Sequence, residues 1–143
     1  MAGKQWDRNN NRRAKGQYFG LPHDVMASSN YVKLSAHAVK LLNDLGLQFN
    51  GKNNGDLCAT WSMMKKRGWK SSSTLHKAIK ELTYYGFIVK SRQGGRHKPT
   101  LYALTWNSVD ECKGKLDINS TNTPLGYWRE EKTDFNHHQQ YKR

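Results

Sequence analysis

Two groups of side chains carry the chemical potential of this chain. The first begins at Lys70-Ser71-Ser72-Ser73 and continues through Thr74-Leu75-His76-Lys77-Ala78-Ile79-Lys80-Glu81-Leu82. Helical spacing puts Leu75, Ile79 and Leu82 on one stripe and Ser73, His76, Lys77 and Lys80 on the opposite face. Hydroxyls and free amides at a helix start hydrogen-bond phosphate oxygens, and Lys70, Ser71, Ser72, Ser73 and Thr74 all fall there. His76 and Lys77 are the side chains placed to reach base edges. The second group is Arg92, Gln93, Arg96, His97 and Lys98, set around Gly94-Gly95, which allows a tight exposed tip. An apolar stripe opposed by polar residues is the pattern of any surface helix. Four potential cations on one short turn are rare on a generic hairpin, and they suit contact with a phosphate backbone or a minor groove. The chemistry on offer is therefore recognition of a polyanion.

Bond-making chemistry finds no matching constellation. His23, His37, His76, His97, His137 and His138 form no spaced ligand set with acids or cysteines. Gly94-Gly95 lacks the Lys-Ser/Thr sequel of a nucleotide loop and opens no helix. Ser35 and His37 stand at a helix start, where capping accounts for the serine. Asp110-Glu111 has no third partner, and the basic stretch holds too few carboxylates for a metal-dependent nuclease. The expectation is no enzyme, no catalytic residue, no cofactor and no metal. Cys58 and Cys112 lie far apart and are read as reduced thiols of a cytoplasmic protein.

The charge is unevenly placed, which matters more than its total of +13 over 143 residues. Residues 1–20 hold five basic residues and one acid. Residues 52–98 hold eleven basic residues against Asp56 and Glu81 alone, whereas 21–51 and 107–143 are balanced. A protein that needed only solubility would mix its signs. No apolar run approaches the ~20 residues of a membrane span, and no signal peptide is read at the start. The expected partner is thus a nucleic acid, with a protein partner as the second possibility and no membrane. At 36% hydrophobic residues the chain suits one modest core.

These groups need a frame to hold them. Residues 1–17, with Arg12 and Arg13 as further DNA contacts, read as a disordered basic arm. Pro22 suits the start of a short helix over about 23–28. Ser35 caps a helix over 36–49 with Ala38, Leu41, Leu42, Leu45 and Phe49 on one face. A turn at 50–55, a short strand at 56–58 and a helix over 61–67 capped by Thr60 follow. Gly68 ends that helix, the serine-started helix runs to Tyr84 or Tyr85, and Gly86 stops it. Residues 87–91 and 100–106 read as the strands of a hairpin. Trp61, Trp69 and Trp106 are expected in or at the edge of the core, with sugar stacking the other option for Trp69. Beyond 106 the pattern weakens into a polar extension, over which Tyr127-Trp128 docks and the chain from about Glu130 is disordered.

The order is that of an α+β chain with a three-helix core and a β-hairpin. From Leu34 through Trp106, and above all in Thr74–Leu82 and Tyr85-Gly86-Phe87-Ile88-Val89, the sequence resembles winged helix-turn-helix domains. It is similar to those of phage and plasmid replication initiators and of small helix-turn-helix proteins of bacterial mobile elements. The resemblance covers about residues 20 to 106, within a domain bounded at 18–106. It implies a recognition helix in the DNA major groove and a hairpin wing beside it. Too little chain follows for the further module of a full initiator. The expected function is sequence-specific double-stranded DNA binding by a transcriptional regulator or replication accessory factor, with a homodimer one possible state. The alternative is an interaction protein for an acidic protein or nucleoprotein complex, such as an inhibitor of a host defence. RNA duplex is disfavoured because its major groove is too narrow for a helix.

Overall fold

A computed structural model describes residues 16–136. The basic arm, with Arg12 and Arg13, and the His137-His138 pair lie outside the described residues. Among the described residues five α-helices and three strands follow the expected order, giving an α+β fold: α1 (His23–Met26), α2 (Ser29–Val32), α3 (Ala36–Gln48), β1 (Leu57–Cys58), α4 (Trp61–Met64), α5 (Ser72–Tyr84), β2 (Ile88–Arg92) and β3 (Leu101–Leu104). The single short helix expected over 23–28 is two helical turns, because Ser28 takes extended dihedrals and caps α2 through Tyr31 N–H. Likewise α4 tightens into a 3-10 turn at Lys65–Arg67, so the expected helix over 61–67 is half α and half 3-10. Thr60 is its N-cap residue by position but accepts no capping hydrogen bond.

The sheet is antiparallel in the order β1-β3-β2. Its register pairs Tyr102 with both Leu57 and Lys90, and Ile88 with Leu104. Residues two apart share a sheet face, so Ile88, Lys90, Tyr102 and Leu104 point one way. Ile88, Tyr102 and Leu104 meet Leu41, Leu42 and Leu45 of α3 and Leu75, Ala78 and Leu82 of α5 in a common core. Ala38, Leu41, Leu42, Leu45, Leu82 and Leu104 are fully buried. The leucine stripes of α3 and α5 thus face each other as their spacing demands, with Ile79 half-buried at the edge.

All four residues of β3 are buried, so the second sheet face is covered too. The cover is the extension that follows Trp106. Val109 is buried, Asp117 N–H donates to Ser91 O at 2.8 Å, and Gly126 N–H donates to Thr105 O at 2.8 Å. Trp128 is buried as expected, while Tyr127 beside it is left half exposed. Two buried asparagines do much of the fastening. Asn54 Nδ2 donates to Leu104 O, Asn107 O and Ser108 O, and its Oδ1 accepts from Leu104 N–H. Asn30 Nδ2 donates to Tyr85 O, Trp128 O and Glu130 O, and its Oδ1 accepts from Lys132 N–H. The expected disorder from Glu130 is therefore corrected for 130–136. Phe135 N–H donates to the Tyr85 hydroxyl at 2.7 Å, and the Phe135 ring packs on Tyr84 at 5.2 Å. At Gly86, with φ +84°, a Cβ would lie 2.6 Å from Tyr127 O, so both the turn and the passing extension need glycine.

Among the described residues no helix is long and apolar enough to cross a membrane.

Candidate nucleic-acid interface

The start of α5 is set by Ser71. It takes extended dihedrals (φ −141°, ψ 129°), and its Oγ accepts the Thr74 amide. Of the three candidate serines Ser71 is therefore the N-cap, and its hydroxyl lies 2.8 Å from that of Ser73. Ser72 and Ser73 are exposed in the first turn, where backbone amides have no intrahelical partner.

The turn before α5 is pinned to α3. Gly68 sits at φ +91°, the left-handed conformation that ends a helix cheaply only in glycine. Trp69 is buried, and its Nε1 donates to Asp44 Oδ2 at 2.9 Å. Asp44 is itself buried and pairs with Lys40 at 3.2 Å and Arg67 at 3.4 Å. Trp69 is thus a core anchor that fixes the angle between α4 and α5, and its ring has no free face for a sugar.

The α5 surface divides cleanly. Leu75, Ala78 and Leu82 are buried, and Ser73, His76 and Lys77 are exposed, with Thr74 and Lys80 half-buried at the boundary. Glu81, the helix's sole carboxylate, is only 3% exposed. It accepts from Ser35 N–H at 2.6 Å and from the Ser35 hydroxyl at 2.9 Å, closing the start of α3. The outward face of α5 consequently carries no acid.

The turn between β2 and β3 holds its basic residues in two different ways. Arg96, His97 and Lys98 are exposed at the tip, where Gly95 and Lys98 exchange backbone hydrogen bonds of 2.9 and 3.2 Å. Gln93 is also exposed, and its N–H donates to Asp117 Oδ2 at 2.7 Å, tying the hairpin to the extension. Arg92 differs. It is 9% exposed, and its Nη2 donates to Pro99 O at 2.9 Å. The cause is a bulge: Lys90 pairs with Tyr102, but Arg92 pairs with Leu101, so Ser91 is an extra residue. The bulge breaks the alternation that would have put Arg92 on the side of Lys90. Arg92 is thereby corrected from a surface contact to a strut inside the hairpin.

Several basic residues join the surface without having been expected there. Lys65 and Lys66 are exposed on the 3-10 turn before Gly68. His37 and Lys40, from α3, line a small depression with Lys70, Ser71 and Thr74. Lys90 lies in an open groove of about 410 Å³ between α5 and the sheet, with His76, Lys80, Tyr84 and Tyr102. Strand alternation on Ile88-Val89-Lys90 could have marked Lys90, whereas the approach of α3 to the α5 start leaves no local signal. Trp61, expected near the core, is 36% exposed, since the four-residue α4 buries Met64 and turns Trp61 outward. Both cysteines are free, and burial pushes each thiol up, so both stay protonated near neutrality. Among the described residues no three His, Cys, Asp or Glu side chains gather as a metal site.

The exposed features are therefore an acid-free helix face, a basic turn before it and a basic hairpin tip, each held from behind by buried contacts. No protein-family model, curated protein or solved structure matches the chain.

Proposed function

We propose that this protein binds double-stranded DNA as a winged helix-turn-helix, with α4 and α5 as the helix pair and the β2–β3 hairpin as the wing. One observation carries the reading: Glu81 is turned into the core on Ser35, which leaves the exposed face of α5 with Ser73, His76 and Lys77 and no carboxylate. A helix entering the major groove passes between two phosphate strands, where an exposed acid would be repelled and lysine, histidine and hydroxyl groups find partners. Arg96 and Lys98 at the hairpin tip and Lys65, Lys66 and Lys70 before α5 supply charge on either side. Sequence preference, in a regulator or replication accessory factor, would come from His76 and Lys77. The test is binding to a random-sequence duplex, then selection of preferred sites from a random pool. A salt-sensitive duplex complex with a recoverable preference supports the reading.

A second reading, docking to an acidic protein, draws on a different surface. Leu47 is 65% exposed and lines a groove with Met63 and Met64, bordered by Lys66 and Arg67. It takes over if the protein leaves duplex DNA unbound and retains acidic proteins through Leu47 and Met63.

A further inference from the structure

Tyr102 is a largely buried polar side chain at the wall of an open groove. It occupies the central strand, paired with Leu57 on one side and Lys90 on the other, and only 7% of it is exposed. Its hydroxyl makes no hydrogen bond to any described residue. It is also not sealed in: among the described residues the buried side-chain atom without a partner is Arg92 Nε. Tyr102 lines the groove between α5 and the sheet. Burial pushes the phenol up, so it stays a neutral donor. Two lysines share the groove, Lys80 from α5 and Lys90 as the cross-strand neighbour of Tyr102, together with His76, Thr83 and Tyr84 and with no carboxylate in its lining. Lys90 Nζ donates to Gln93 Oε1 at 2.8 Å, a neutral partner that leaves its charge uncompensated.

A helix seated in the major groove leaves one bordering sugar–phosphate strand beside it. A hairpin on the same side of the protein then lies across that strand, so the space between helix and hairpin is the strand's path. A phosphodiester oxygen there is an acceptor with negative charge, matched to a fixed donor with a lysine as its cross-strand neighbour. The tyrosine ring is held by packing, so little rotamer freedom is lost on contact.

We infer that the groove between α5 and the β2–β3 ladder is a seat for one backbone phosphate of the bound duplex, with the Tyr102 hydroxyl as its neutral hydrogen-bond donor and Lys90 as its principal counter-charge. The inference rests on the duplex-binding reading above and adds to it the residue that fixes the register of the backbone.

The test compares the full chain with Tyr102→Phe and Lys90→Gln on one random-sequence duplex across a salt series, with a melting curve for each. Tyr102→Phe keeps the buried ring and should melt like the parent protein, because the hydroxyl has no internal partner to lose. Its duplex affinity should fall roughly tenfold, the scale of one hydrogen bond to a charged group. Its salt slope should stay unchanged, since a neutral donor releases no counterion. Lys90→Gln should weaken binding and make the slope shallower by about 0.9, one phosphate's worth. If Tyr102→Phe binds as the parent does, the seat is wrong and duplex binding stands. A drop in melting temperature that accompanies the lost affinity makes Tyr102 structural and overturns the seat. If the parent protein leaves the duplex unbound, the duplex reading and the seat fall together.

Discussion

Glu81 and Arg92 are the two charged side chains whose placement most changes what the surface can do, and both are buried for local reasons. Glu81 faces Ser35, which has an unpaired N–H and a hydroxyl at a helix start, so the carboxylate gains two donors there. Nothing in the spacing of α5 betrays this, because position 81 flanks the Leu82 stripe and the partner is 46 residues away. Glu81→Ala should cost about 1–3 kcal/mol by removing the two hydrogen bonds that this buried carboxylate accepts from the exposed start of α3, read as a lower denaturation midpoint. Arg92 and Arg96 make an informative pair. Arg92→Ala should lower stability, because it removes a strut to Pro99 and opens a gap. Arg96→Ala should change stability by less than about 0.5 kcal/mol while weakening random and preferred duplexes about equally, as a backbone contact does. Lys77→Ala should instead weaken the preferred duplex more than the random one. Melting curves check the two stability outcomes, and titrations of both duplexes with Arg96→Ala and Lys77→Ala check the binding ones.

At the scale of elements, periodicity carried far. The leucines of α3 and the Leu75 and Leu82 stripe of α5 were legible because burial on a helix must repeat at 3.6 residues. Ser35, Gly68 and Gly86 marked ends because capping chemistry is local. The bulge at Ser91 was not legible, since the sequence Lys90-Ser91-Arg92 fits regular alternation equally well. The extension beyond 106 reads in sequence as a polar, partly disordered segment for a similar reason: over 107–136 its regular elements are two three-residue 3-10 turns, Cys112–Gly114 and Tyr127–Arg129, too short to give a period. Its order comes from distant partners, with the Asn54 side chain holding Asn107 O and Ser108 O and the Asn30 side chain reaching Lys132 N–H across 102 residues. Leu82 is fully buried between α3 and α5, so Leu82→Ala should cost about 2–5 kcal/mol. Lys80→Ala, toward the rim of the same helix, should cost far less, and thermal melts separate the two. Trp128→Ala should cost about 3–5 kcal/mol, with the whole protein melting earlier in one transition. An early partial transition confined to the extension would show that it is an accessory to the core.

For the whole molecule, the charge distribution read along the chain becomes a surface. The basic stretch over 52–98 spans α4, α5 and the hairpin, while the balanced extension first packs on the sheet and then passes Gly86 to reach Tyr84 and Tyr85 at the end of α5. Basic residues gathered on a helix pair and a hairpin are the footprint expected of a duplex binder. The arm, with Arg12 and Arg13, adds charge whose contribution is read by deleting residues 1–15. Duplex affinity and salt slope should both fall, with the melting temperature unchanged. The central claim is most directly tested by measuring the affinity of the full chain for a random-sequence duplex as salt is raised. The account predicts binding at low salt, with log K falling by about 0.9 for each phosphate neutralised, and a shallower slope when Lys77 and Arg96 are both replaced by alanine. Absence of binding at low salt, or a slope indifferent to those two residues, would contradict it.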